Sequence, residues 1–208
     1  LVLFPEDEIE HGHSVIKMQQ RLGIDARYIS RDEISQIEPR LSIEDVAAGA
    51  WEPNSGYADG STVANSFVAA ARSLGVEVRI GPEAVGLITV DEKITGVETS
   101  EGMIHAGTVI VEAGFRTSAL LAHHGVDLPI VPVRHAIAVV KRTQDFGDIH
   151  PVVSDRVARA YYRPEAENLT LLGEHDPLRG PVDEEVEVTK LPQMDEQVSL
   201  MERFSRRF

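Results

Sequence analysis

The sequence predicts an α/β fold, an α+β arrangement around a mixed sheet, on three observations. Segments with helical apolar spacing and segments rich in β-branched residues interleave from one end to the other. Three short strand-like runs joined by tight turns sit together between residues 84 and 106, the pattern of a β-meander. No internal repeat or low-complexity linker breaks the alternation.

Taken in order, residues 6–23 read as a helix. Ile9, His13, Ile16, Gln20 and Leu22 fall near helical spacing, and Gly23 is a C-cap. Ser30 and Glu33 form a capping-box signature that opens a short helix ending before Pro39. Residues 47–51 are strand-like, and Pro53 to Gly56 is turn chemistry. Asp59 caps the clearest helix, with Val63, Phe67, Ala70 and Ala71 on its apolar face and Leu74-Gly75 closing it. Residues 76–80 alternate as a strand. The meander follows at 84–90, 94–99 and 103–106. Thr108 to Val111 is a continuous β-branched run, which predicts a buried strand. A short helix is expected at 118–124, a long strand at 131–141, and further strands at 152–154, 159–163 and 169–172. Residues 192–208 close the chain as a helix with Val198, Met201 and Phe204 on one face.

Composition narrows the chemistry. With 208 residues, 42% of them hydrophobic, the chain can bury one or two cores, and 5% aromatics means that Val, Ile, Leu and Ala build them. A net charge of -14 repels phosphate backbones and argues against nucleic acid as a partner. The absence of cysteine excludes disulfides, thiolate nucleophiles, Cys-ligated zinc and iron–sulfur clusters. No apolar run reaches the roughly 18 residues of a membrane span, and Leu1 to Glu8 lacks the basic n-region of a signal peptide. A cytoplasmic location is the expectation. Both ends read as cut points: the chain opens inside an apolar run without Met and stops directly after a helix-like stretch. The His11/His13 and His123/His124 pairs lack the spacing of a helical metal motif, so no metal is expected. Glu184 to Val188 reads as a solvated strand or loop.

A set of segments then recurs in a recognisable order. Leu22-Gly-Ile-Asp is followed by Ile29-Ser-Arg-Asp-Glu and Ile37-Glu-Pro, and these by Gly49-Ala-Trp-Glu-Pro-Asn-Ser-Gly-Tyr-Ala-Asp-Gly. Ala70-Ala-Arg-Ser-Leu-Gly-Val-Glu-Val, Ile94-Thr-Gly-Val-Glu-Thr-Ser-Glu-Gly and Val109-Ile-Val-Glu-Ala-Gly come next, and then Pro132-Val-Arg-His and Tyr161-Tyr-Arg-Pro-Glu. In this order, over roughly residues 15 to 208, the chain resembles the D-amino-acid oxidase superfamily of FAD-dependent oxidoreductases. Its members include glycine oxidase, sarcosine oxidase and dimethylglycine dehydrogenase.

The resemblance implies a substrate-domain antiparallel sheet with helices, joined to part of an FAD-binding α/β domain. Residues 1–48 would be a helical substrate-side segment, 49–115 part of the FAD-binding domain with its β-meander, and 116–208 the substrate-binding sheet. It implies FAD as cofactor of the intact parent. It also implies a small amine or amino acid as substrate, and a homo-oligomer or other flavoprotein subunits as partners. No Gly-x-Gly-x-x-Gly follows a strand here, so this stretch alone is expected to hold FAD weakly or not at all. The implied cofactor residues are Val85, beside the adenine, and Ala113 and Gly114, where small residues let the backbone approach the dinucleotide. Their plain readings are a core valine and a strand-end turn.

The implied catalytic residues are His135, Arg134, Tyr161 and Arg163. Strand alternation allows only one of Arg134 and His135 to face flavin and substrate. His135 is the first choice, as a hydrogen-bonding or proton-handling group. Tyr161 and Arg163 share one face, and an Arg fork suits a substrate carboxylate. Sheet packing and a surface ion pair are the plain alternatives. The expected reaction is oxidation of a C–N bond by FAD. The alternative is a non-catalytic domain or subunit that contributes an interface.

Overall fold

The computed structural model describes residues 1–175 and 193–208. Among these described residues, ten strands and five α-helices follow in chain order. They are β1 (Val2–Phe4), α1 (Ile9–Arg21), β2 (Arg27–Ile29), α2 (Arg31–Ile37), β3 (Ala48–Trp51), α3 (Gly60–Ser73), β4 (Ala84–Val90), β5 (Lys93–Thr99) and β6 (Gly102–His105). Then come α4 (Thr117–Ala122), β7 (Ile137–Lys141), β8 (Val153–Asp155), β9 (Ala160–Glu165), β10 (Leu169–Glu174) and α5 (Met194–Arg207). The chain divides into two compact units. One holds 1–56 with 133–175 and 193–208; the other holds 57–132.

The first unit is a seven-stranded sheet in the order β2-β3-β1-β8-β9-β10-β7. The β1–β8 pair is parallel and every other pair antiparallel. Strand period separates its residues into two faces. On one face Leu3, Val153, Tyr162 and Leu172 join Ile34 and Leu200 in the main core, beneath α2 and α5. On the other, α1 covers only the β1–β3 side, where Phe4, Ile16, Ala26 and Ala50 form a second cluster. Local chemistry fixes several ends. Ser30 and Glu33 cap α2 reciprocally, and Gly23 takes a left-handed φ of 82° after α1.

Helix α5 differs from its sequence reading. Val198 and Met201 are exposed, and the inward stripe is the buried Glu196, Leu200 and Arg207 with the partly buried Phe204, which the sequence reading places there. Two members of that stripe are charged, so apolar spacing misplaces the face. Each has a distant partner. Glu196 accepts from Arg134 at 2.9 Å, and Arg207 is clasped by Asp155 at 2.6 Å and Asp45 at 2.7 Å.

The second unit carries the meander as a three-stranded sheet, β4-β5-β6. Asp59 caps α3 by accepting from the Thr62 N–H at 2.7 Å. Residues 76–80 and 108–111 belong to no strand, because no described segment pairs with them. Ile80 and Ile110 are left 84% and 82% exposed, and Phe67 on α3 74%. The 131–141 strand shortens to 137–141 for the same reason: its ladder with β10 begins at Ile137. Glu184 to Val188 lies outside the described residues.

Candidate active site

The uncovered half of the sheet, over β9, β10 and β7, gathers most of the chemistry of the first unit. Burial alternates along β9: Tyr162 and Ala160 are buried toward α5, while Tyr161, Arg163 and Glu165 point the other way. Register sets the neighbours of Tyr161 in one row across the sheet, namely Ser154 on β8, Gly173 on β10 and Ile137 on β7. The next row is Arg163, Leu171 and Val139. Ile137 and Val139 are 44% and 56% exposed, so this face is open.

Gly173 shapes the row. A Cβ there would lie 2.2 Å from Tyr161 Cζ and 2.4 Å from its hydroxyl oxygen. Only glycine lets the Tyr161 ring lie across β10. The ring then meets the His175 imidazole, with centroids 5.8 Å apart. His175 continues β10 by one more backbone bond, its N–H donating to the Arg159 carbonyl at 3.0 Å. Its Nε2 is 3.0 Å from Ser154 Oγ. Burial first, and then the nearby Arg156 guanidinium, push its pKa below the usual histidine value. A hollow of about 210 Å³ lies beside it, lined by Glu8, Arg156, Arg159 and His175.

His135 is exposed, and its Nδ1–H donates to the Glu174 carbonyl at 3.3 Å. The adjacent Ala136 N–H donates to the buried Glu174 carboxylate at 2.9 Å. Arg134 is turned toward α5 and its Nη2 bonds Glu196, on the face away from Tyr161. Arg163 shares the Tyr161 face, but its Nε donates to Glu165 two residues along at 2.6 Å. Its charge is therefore already answered.

Val85, Ala113 and Gly114 belong to the second unit. Val85 is half exposed at a register shift in the β4–β5 ladder. Ala113 precedes a 3-10 turn that starts at Gly114, whose φ of 58° favours glycine and whose missing Cβ faces open space.

Sequence reasoning missed His175, Ser154 and Gly173. The signal was present: carrying the β10 alternation from Leu171 through Gly173 to His175 puts all three on the Tyr161 face. Among the described residues no group of three His, Asp or Glu is arranged to hold a metal ion, and no helix is long and apolar enough to cross a membrane.

Comparisons with known proteins agree on one family. A family model described as FAD dependent oxidoreductase, DAO, matches residues 1–208. The chain is 30% identical over 138 residues to sarcosine oxidase subunit beta of Arthrobacter sp, covering 63% of this chain and 33% of that one. It is 25% identical over 164 residues to the human mitochondrial sarcosine dehydrogenase, covering 76% and 18%. Among solved structures, L-proline dehydrogenase from P. horikoshii superposes with a TM-score of 0.83 at 22% identity, over 99% of this chain and 54% of that one. Glycine oxidase from Bacillus cereus gives 0.76 at 22% identity, over 100% and 54%. The chain thus spans a third or less of the curated relatives it matches and about half of these solved chains. With the family model matched from first residue to last, the chain belongs to the DAO family of FAD-dependent oxidoreductases.

Proposed function

We propose that the whole protein oxidises the C–N bond of a small amino acid or N-methylated amine, with this chain supplying the substrate side of the site. The observation that carries the reading is the open sheet face on which Tyr161, His175 and Ser154 converge. The relatives named as sarcosine oxidase and sarcosine dehydrogenase support the substrate class.

The residues present fit the cofactor of the family. A flat Tyr161 ring over Gly173, bordered by Ile137, Val139 and Leu171, suits a planar aromatic system. The open space at Gly114 suits close approach of a nucleotide. Bound FAD supplies the two-electron acceptor. The chain's own residues do the rest. An ammonium must lose a proton before its C–H bond can give up a hydride, so the site needs a neutral base. The depressed pKa of His175 keeps its imidazole neutral near pH 7, able to take that proton at Nε2 while Ser154 Oγ turns to accept. Tyr161 bounds the substrate, and His135 at the edge of the same region is a second hydrogen-bonding group. Residues 76–80 and 108–111 take their ladder partners from the dinucleotide-binding part of the whole protein. On this reading 49–115 contributes to the FAD-binding domain, and 1–48 with 116–208 to the substrate side.

The test is oxidation of N-methylglycine, glycine and L-proline by the purified whole protein. At least one should be turned over by a yellow, flavin-containing preparation, and His175→Ala should cut kcat at least tenfold. A colourless, inactive whole protein would favour the interface role instead.

A further inference from the structure

The end of β10 holds a buried carboxylate that packing does not call for. Glu174 is 4% exposed, on the buried face of β10 with Thr170 and Leu172. Its Oε1 accepts from the Ala136 N–H at 2.9 Å, and its Oε2 has no hydrogen-bond partner among the described residues. A carboxylate withdrawn from water with one oxygen unanswered costs stability. An apolar side chain of similar size would close the strand end without that cost.

The ladder shows what the carboxylate does. Strands β10 and β7 pair from Leu169 with Lys141 up to Gly173 with Ile137, and stop there. The next opposed residues in that register are Glu174 and Ala136. Here the Ala136 N–H bonds the Glu174 side chain instead of a strand carbonyl, and the Glu174 carbonyl accepts from the His135 ring, 3.3 Å from Nδ1. One residue thus holds the facing segment twice, by the backbone of Ala136 and by the imidazole of His135. A carbonyl can only accept, so the contact puts the ring proton on Nδ1 and leaves Nε2 as the basic nitrogen. Arg134, bonded to Glu196 at 2.9 Å, ties down the start of the same segment. Glu174 is itself fixed from β9 through its register with Ala160, and the next residue along is His175. Both imidazoles of the candidate site are therefore placed from Glu174.

We propose that Glu174 is a positioning residue of the site, which fixes the place and the tautomer of His135 while touching neither substrate nor cofactor. A buried carboxylate is the longest-reaching acceptor that a strand end can offer to a backbone N–H on its neighbour, and its charge strengthens that bond. The effect on turnover rests on the amine-oxidising reading of this face. The effect on the His135 ring does not.

The experiment is nuclear magnetic resonance of the full-length, flavin-loaded protein with isotope-labelled histidine rings, the His135 signal being identified by its loss in His135→Gln. In the neutral ring the two nitrogen shifts report the tautomer. Wild type should show Nδ1–H. Glu174→Met, which keeps the length of the side chain but removes the acceptor, should shift the ring toward Nε2–H. Glu174→Gln, whose amide oxygen can still accept from Ala136, should keep it at Nδ1–H. On N-methylglycine, Glu174→Met should lower kcat by about tenfold or more. Beside His135→Ala it should lower kcat by less than about twofold, because the effect runs through that ring. A wild-type ring in the Nε2–H form, an Nδ1–H ring that survives Glu174→Met, or a full kcat loss in the His135→Ala background would each overturn the proposal. Should Glu174→Met not fold, Glu174→Asp, one methylene too short to reach the Ala136 N–H, takes its place with the same expected outcomes. If the whole protein turns over no amine, the reading of the face fails, and the ring measurement still decides the role of Glu174.

Discussion

Gly173→Ala is the most revealing single substitution, because it adds one methyl group and aims it at Tyr161. The new Cβ would sit 2.2 Å from Tyr161 Cζ, where ordinary contact starts at 3.4 Å, so the ring must retreat by about 1.2 Å. The far end of a side chain can move, so the strand itself survives. The overpacking should cost about 1–3 kcal/mol of stability. The larger effect should be on turnover, since displacing a substrate-bounding group by about 1 Å can cost on the order of 100-fold. The assay is kcat/KM of the whole flavoprotein on its amine substrate, with unfolding by urea measured in parallel. Tyr161→Ala supplies the control: with no ring to displace, Gly173→Ala should change little in that background. Activity of Gly173→Ala within twofold of wild type, in the presence of Tyr161, would refute the reasoning.

Other consequences follow from the same contacts. Arg207→Met leaves Asp155, wholly buried, without its cation, and should lower urea-unfolding stability by about 3–5 kcal/mol. His150 is buried, its Nδ1–H donating to the Pro151 carbonyl at 2.7 Å and its Nε2 accepting from the Thr170 hydroxyl at 2.9 Å. Burial holds its pKa below 6.5, so beneath that pH the unfolded chain binds the proton first. Stability should therefore be complete above pH 6.5 and fall as pH drops from there. His175 adds in the same direction, and His150→Gln should flatten the slope. His135→Ala should lower turnover more than it lowers stability, because the side chain is exposed. Thermal melts beside kcat measure that contrast, and unchanged turnover would remove His135 from the site.

What was legible in the sequence is what depends on near neighbours. The Ser30–Glu33 and Asp59 caps and the turns of the β4–β6 meander are set within a few residues, and local pattern finds them. What was hidden depends on distant partners. Residues 76–80 and 108–111 have strand composition, but a strand exists only with a ladder. The buried face of α5 contains Glu196 and Arg207, whose burial makes sense only with Arg134, Asp45 and Asp155 in place. The same holds for the site. That Arg134 and His135 diverge was expected from strand alternation, yet both precede the β7 ladder, and it is the bond to Glu196 that turns Arg134 toward α5. That Arg163 is closed on Glu165 was readable from their spacing of two on one strand. His175 escaped because the expected strand stopped at Leu172, before the residue that packs against Tyr161.

The most direct measurement is anaerobic mixing of the whole, flavin-loaded protein with N-methylglycine, following loss of flavin absorbance. Bleaching in wild type that slows by about 100-fold or more in His175→Ala, with the resting flavin spectrum intact, is the expected result. A fully bound flavin that bleaches equally fast in both proteins would mean that the Tyr161–His175 face is not where the amine reacts.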